Sequence, residues 1–227
     1  MRIPDYPSQD SDKWAQVDAW FSEKLAAEDS DLKYALANNS AQGLPTHDVS
    51  SLQGKMLAIF MQMSRAVRVL EIGTLGGYST IWMAKALPPH GSITTIEFND
   101  HHAEVASQNI NKAGLAERVT LHRGAALEVL PTLDAPFDLI FIDADKVNNP
   151  QYLEWAIRLS KPGTVIVADN TVRGGNVIES GSEDPNVIGL RKFVEMISED
   201  ERLEATAVQT VGEKGWDGFV LAIVKTQ

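Results

Sequence analysis

The 227-residue chain contains no cysteine. That excludes a disulfide framework, a thiolate metal site and a cysteine nucleophile. It also has no Gly-x-x-x-x-Gly-Lys-Ser/Thr phosphate loop, no Gly-x-Gly-x-x-Gly dinucleotide fingerprint and no Gly-x-Ser-x-Gly nucleophile elbow. No apolar run approaches the length of a membrane span, and the polar start Met1-Arg2-Ile3-Pro4-Asp5 lacks the pattern of a signal peptide. No membrane partner is expected, and a cytoplasmic location is the default. Basic residues are outnumbered, 20 against 31 acids, for a formal charge of −11. A nucleic-acid partner needs a basic footprint and is not expected.

What remains is an ordinary globular composition, 44% apolar and 22% charged. The expectation is one domain over residues 1–227, with a helical extension over 1–49 and an α/β core over 50–227. Residues 1–9 are polar with two prolines and read as loose. Trp14, Val17, Phe21 and Leu25 recur at helical spacing from Asp10 to about Ala27, in a helix that covers the core or contacts a second copy. A second helix runs from Asp31 to Ala41. A third, capped by Ser50 or Ser51, carries Leu52, Met56, Ile59, Phe60 and Met63.

From Arg68 strands and helices alternate. Strands are expected at Arg68–Ile72, Ser92–Glu97, Val119–Arg123, Phe137–Ile142 and Thr164–Ala168. Two closing strands, Leu203–Thr210 and Gly218–Val224, flank a seven-residue connection. This describes a doubly wound, seven-stranded, mostly parallel Rossmann-like sheet with an antiparallel strand near one edge. Ligands of such sheets sit beyond the carboxyl ends of the strands.

The first strand end organises the rest: Arg68-Val69-Leu70-Glu71-Ile72-Gly73-Thr74-Leu75-Gly76-Gly77-Tyr78-Ser79-Thr80. A strand, a glycine-rich turn and a helix bring bare backbone close to a ligand. A structural turn is the alternative. Glu71 would repel a pyrophosphate and suits a cationic or hydroxyl-bearing cofactor. The second strand ends in Glu97, placed to accept from both hydroxyls of a ribose, or else to charge a helix N-terminus. The small residues Gly124, Ala125 and Ala126 after the third strand leave room for a flat ring, and a tight turn explains them equally well.

The fourth strand ends Phe141-Ile142-Asp143-Ala144-Asp145-Lys146, and the fifth Val167-Ala168-Asp169-Asn170. On neighbouring strands, Asp143, Asp169 and Asn170 converge as hard oxygen donors, suited to Mg²⁺, with Mn²⁺ or Ca²⁺ as alternatives. Helix capping by both aspartates is the competing explanation.

These motifs together resemble the cation-dependent, S-adenosylmethionine-dependent O-methyltransferases, the family of catechol and caffeoyl-coenzyme A O-methyltransferases. The likeness covers roughly residues 42–227 and includes Val-Leu-Glu-Ile-Gly-Thr, Phe-Ile-Asp-Ala-Asp-Lys, Ala-Asp-Asn and the closing Lys-Gly-x-Asp-Gly-Phe. It implies that Val49, Glu71, Gly73, Thr74, Ser79, Glu97, Ala126 and Asp143 contact the cofactor. It implies Asp143, Asp169 and Asn170 as metal ligands and Lys146 as general base. It further implies a class I methyltransferase fold, a small phenolic acceptor of catechol type and a homodimer. The usual Asn-Tyr pairing after the lysine is shifted to Val147-Asn148-Asn149-Pro150-Gln151-Tyr152, which leaves a substrate contact by Tyr152 open. The polar stretch Thr171–Asn186 reads as a mobile lid. Eight acids against three bases in the first 31 residues disfavour a coenzyme A ester as acceptor. A non-catalytic S-adenosylmethionine-binding module and a transferase for non-catechol or coenzyme A-linked acceptors are the alternatives. An NAD enzyme is disfavoured by the glycine spacing and by Glu71.

Overall fold

A computed structural model describes residues 5–226. In chain order the elements are α1 (Ser11–Leu25), α2 (Ser30–Ala41), α3 (Ser51–Ser64), β1 (Arg68–Ile72), α4 (Tyr78–Ala86), β2 (Ser92–Glu97), α5 (Asp100–Lys112), β3 (Val119–Arg123) and α6 (Ala126–Val129). They continue with β4 (Phe137–Ile142), α7 (Asn149–Arg158), β5 (Ser160–Asp169), α8 (Pro185–Glu199), β6 (Leu203–Gly212) and β7 (Gly215–Val224). The seven strands make the expected mostly parallel sheet. Among the described residues, no helix is long and apolar enough to cross a membrane.

Two compact units divide the chain. The first, Ala19–Thr132, holds the parallel strands β3-β2-β1, in which Arg68 pairs with Ser92 and Ile93 with Val119. From Val69 to Ile72, β1 is buried throughout, as a strand covered on both faces must be. Ser50 caps α3 in a reciprocal box with Gln53, a device that contributes about 1 kcal/mol. On α3, Gly54 admits the ring of Trp82 from α4, since an added Cβ would lie 2.4 Å from that ring. Helix α2 is tied down at its start: the Tyr78 hydroxyl donates to Glu28, and Lys85 bridges Asp29 and Asp31.

The second unit joins the described residues up to Asp18 to those from Leu133 onward. Its strands run β4-β5-β7-β6, with β7 antiparallel to both neighbours. A register shift between Phe137 and Leu139 accompanies the early start of β5 at Ser160, four residues before the expected Thr164. The last connection is also shorter than expected. Gly212 pairs with Gly215, so only Glu213 and Lys214 turn the chain, and Val211, Trp216 and Asp217 are strand residues. Residues 1–4 of the stretch expected to be loose lie outside the described residues. Tyr6 pairs with Gly215, and Trp216 N–H donates to the Tyr6 carbonyl at 3.3 Å.

The stripe on α1 covers no core. None of its residues is buried, and Val17, Trp20, Phe21 and Leu25 are exposed.

Candidate active site

At the end of β1 the chain turns through Gly73 (φ 98°) and Gly77 (φ 81°), and Gly77 caps α4. Both lie in the left-handed region that favours glycine. Beneath the turn Glu71 is wholly buried. Ser79 donates to one of its oxygens at 2.5 Å, and Thr80 and Thr95, the latter at 2.7 Å, donate to the other. The Thr74 hydroxyl lies 2.6 Å from that of Thr95 and extends the chain of hydroxyls. Glu71 and Ser79, both expected as cofactor contacts, are thus hydrogen-bonded to each other beneath the turn. Of the supporting threonines, Thr74 and Thr80 lie within the glycine-turn stretch, whereas only the inward pattern of β2 marks Thr95.

Glu97 is buried to 8% exposure. One carboxylate oxygen accepts from Thr74 N–H at 3.1 Å and Leu75 N–H at 2.8 Å, and the other from Asn99 N–H at 2.9 Å. The side chain therefore fixes the start of the turn, and of its roughly four lone-pair sites one is left over, on the oxygen that His102 Nδ1 approaches at 3.6 Å. Val49 is buried just before the Ser50 cap, and Ala126 opens α6 half-exposed.

In the other unit, β4 and β5 pair with Ile142 opposite Ala168, so Asp143 and Asp169 follow at adjacent strand ends. Lys146 is 5% exposed, and its Nζ donates to Asp143 Oδ1 at 3.1 Å. Asp169 is 3% exposed. Burial, and then the neighbouring Asp143 carboxylate, push its pKa up to about 6, against relief from Lys214 and Lys146. Asn170 adopts φ 55°, an uncommon conformation for a side-chain-bearing residue and one often kept for function. A buried carboxylate at Asp169 and the partly exposed carboxylate of Asp143, which repel one another, are a pair that suits a hard divalent cation. No group of three or more His, Cys, Asp and Glu that could hold a metal occurs among the described residues.

Asp145 does not join this set. It accepts from Tyr152 Oη at 2.6 Å and Asn148 Nδ2 at 2.6 Å. Tyr152 is 3% exposed, and burial followed by that bond raises its pKa. The segment expected as a lid begins with fixed contacts. Val172 and Arg173 N–H both donate to Asp217 Oδ1 at 3.0 Å. Gly174 and Gly175 then lie against the rings of Tyr6 and Trp216. Sequence reasoning missed Asp217 as an anchor, although it sits within the closing motif.

Comparison with known proteins follows the same line. A family model described as O-methyltransferase matches residues 23–223. Catechol O-methyltransferase of Mycobacterium tuberculosis is 50% identical over 210 residues, 92% of this chain and 95% of that protein. Catechol O-methyltransferase of Niastella koreensis is 46% identical, over 92% and 96% of the two chains. The crystal structure of the O-methyltransferase from Bacillus cereus in complex with SAH superimposes with a TM-score of 0.93 at 50% identity, covering 95% of this chain and 100% of that one. Glycine turn, acidic strand ends and these relatives agree: the chain belongs to the O-methyltransferase family and is an S-adenosylmethionine-dependent O-methyltransferase.

Proposed function

We propose that the enzyme methylates one of two adjacent hydroxyls on a small catechol-type phenol, with dependence on a divalent cation. The observation that carries this reading is the buried Asp169 beside Asp143, with Asn170 and Lys146 at the same strand ends. The names of the two catechol O-methyltransferases support it. Asp143, Asp169 and Asn170 would hold Mg²⁺, or Mn²⁺ or Ca²⁺. A cation held there would supply charge that lowers the pKa of a neighbouring phenol, ordinarily about 10.

Lys146 takes the phenolic proton on its Nζ, whose burial keeps it from bulk water. Its bond to Asp143 aims the amine at the ligand cluster rather than at solvent. Methyl transfer from a sulfonium is an in-line displacement, so the acceptor oxygen must be held close and aligned. On the cofactor side, the Gly73–Gly77 turn with Thr74 and Val49 receives the methionine end. Glu97 accepts from the ribose hydroxyls, and Ala126 leaves room for adenine. Glu71 and Ser79 act on the cofactor by fixing the floor of that turn. The exposed Val17, Trp20, Phe21 and Leu25 of α1 suit burial against a second copy, which supports a homodimer.

The test is methyl transfer from S-adenosylmethionine to caffeic acid and to simple catechols, with Mg²⁺ and then with EDTA. Transfer that EDTA abolishes is expected. Full activity in EDTA would overturn the metal reading, and no transfer to any catechol the acceptor reading.

A further inference from the structure

Among the glycines of the cofactor turn, Gly76 is there for a different reason from its neighbours. A Cβ at this position would lie 1.9 Å from Asn39 Oδ1, so the space a side chain would fill is taken by an amide from α2. Asn39 is 2% exposed and Asn109, on α5, is 1% exposed. Asn109 Nδ2 donates to Asn39 Oδ1 and to the Gly76 carbonyl, both at 2.8 Å. Asn39 Nδ2 donates to Asp48 Oδ1 at 2.8 Å, and Asn38 Nδ2 to Asn109 Oδ1 at 2.8 Å. The Gly76 carbonyl and a carboxylate at Asp48 can only accept. The direction of every amide in this relay is therefore fixed.

The relay ties three separate pieces to one carbonyl of the turn: the end of α2, the face of α5, and the segment that leads through Val49 into α3. Glu97 fixes the start of the same turn through the N–H groups of Thr74 and Leu75. The turn is thus held at both ends, at one by a carboxylate and at the other by amides.

We infer that Asn39 is a positioning residue for the cofactor, setting the Gly76 end of the turn and the Asp48–Val49 segment together through the buried Asn39–Asn109 amide pair. The inference rests on the reading of this turn as the S-adenosylmethionine site. Asn39 itself touches no reacting atom; it transmits the order of α2 to the backbone that would meet the methionine end.

The relay has a test in its own polarity. In Asn39→Asp two carboxylates face each other where an amide now donates, and Kd for S-adenosylmethionine is expected to rise about tenfold, the equivalent of one buried hydrogen bond. Kinetically the loss falls on KM for S-adenosylmethionine rather than on kcat. Combining Asn39→Asp with Asp48→Asn restores one donor and one acceptor in reversed order, and is expected to return Kd to within about threefold of wild type. A role confined to stability would lower the melting temperature without this reversal. Hydrogen exchange on the wild-type protein gives a second readout that requires no variant to fold: amides of residues 38–44 and 48–50 should slow when S-adenosylhomocysteine is added. Wild-type affinity in Asn39→Asp, a double variant no better than the single, or unchanged exchange in α2 would each overturn the inference. Failure of the wild-type protein to bind S-adenosylmethionine is a separate result, which would remove the cofactor site itself.

Discussion

Gly189 of α8 lies against the backbone of Lys146: a Cβ added to the glycine would sit 2.4 Å from the Lys146 carbonyl oxygen and 2.8 Å from Val147 Cα. The short turn that carries the lysine is therefore seated directly on a helix. Backbone on both sides leaves no flexible side chain to give way.

Gly189→Ala should accordingly displace that turn. Overpacking of this kind costs about 1–3 kcal/mol, partly offset by the roughly 1 kcal/mol helix preference of alanine. The expected result is a melting temperature lower by several degrees and a kcat reduced more than KM for S-adenosylmethionine. Lys146→Met, which removes the amine and keeps the bulk, should reduce kcat about a hundredfold or more, in the range of a lost general base. A kcat in Lys146→Met that still matches wild type across pH 6–9 would take the lysine out of the mechanism.

Cation binding can be read without turnover. A ligand that binds only the folded state raises the melting temperature with concentration. Mn²⁺ or Mg²⁺ should do so for the wild-type protein and not for Asp169→Ala or Asp143→Ala. Both variants should still bind S-adenosylhomocysteine and should show no metal-dependent transfer. Equal thermal shifts in variants and wild type would place the cation elsewhere.

The hydroxyl relay under the turn is testable at Thr95, which is fully buried between Thr74 and Glu71. Thr95→Val keeps the shape and removes both bonds, one of them to a carboxylate. A loss of about 1.5–3 kcal/mol in urea unfolding is expected, with most of it recovered by Thr95→Ser. Equal losses in the two variants would assign the effect to packing rather than to the hydroxyl.

Asp217 predicts a pH dependence. Burial raises its pKa, against the opposing N–H bonds from Arg173, Val172 and Gly218. A carboxyl whose folded pKa exceeds its unfolded value binds its proton more tightly in the folded state. Its contribution to stability is present at low pH and is lost as pH rises through the folded pKa. Asp217→Asn keeps an Oδ1 acceptor and no longer titrates. It should melt higher than wild type at pH 7–8, with the advantage fading below about pH 4, near the ordinary aspartate value. A variant less stable than wild type at pH 7 would mean that the charged acceptor is worth more than its burial costs.

Four strands of the parallel core were legible to the residue. β1 to β4 begin and end where expected, because each is a short stretch rich in β-branched and apolar residues closed by a glycine, an acid or an arginine. The acids at the ends of those strands were legible for the same reason. Less was visible at the closing hairpin. Gly212 and Gly215 look like the middle of a loop, whereas they are the last pair of a ladder around a two-residue turn. Pro162 and Gly163 hid the first half of β5. On α1 the spacing told which residues share a face, but a period cannot say whether that face meets the core of its own chain. Asn39 and Asn109 were silent altogether: an asparagine in a helix reads as surface until its partner, 70 residues away, is brought beside it.

The placement of β7 bears on how this protein is made. It comes after β6 in the chain yet lies between β5 and β6, pairing Val165–Asp169 on one side and Leu203–Gly212 on the other. During synthesis, β6 therefore has no strand to join and β5 keeps an open edge until the final strand leaves the ribosome. An unpaired, largely apolar edge is a template for pairing with another chain. Nascent-chain aggregation should thus depend on how fast the last strand is delivered, and chaperone demand should peak just before its translation.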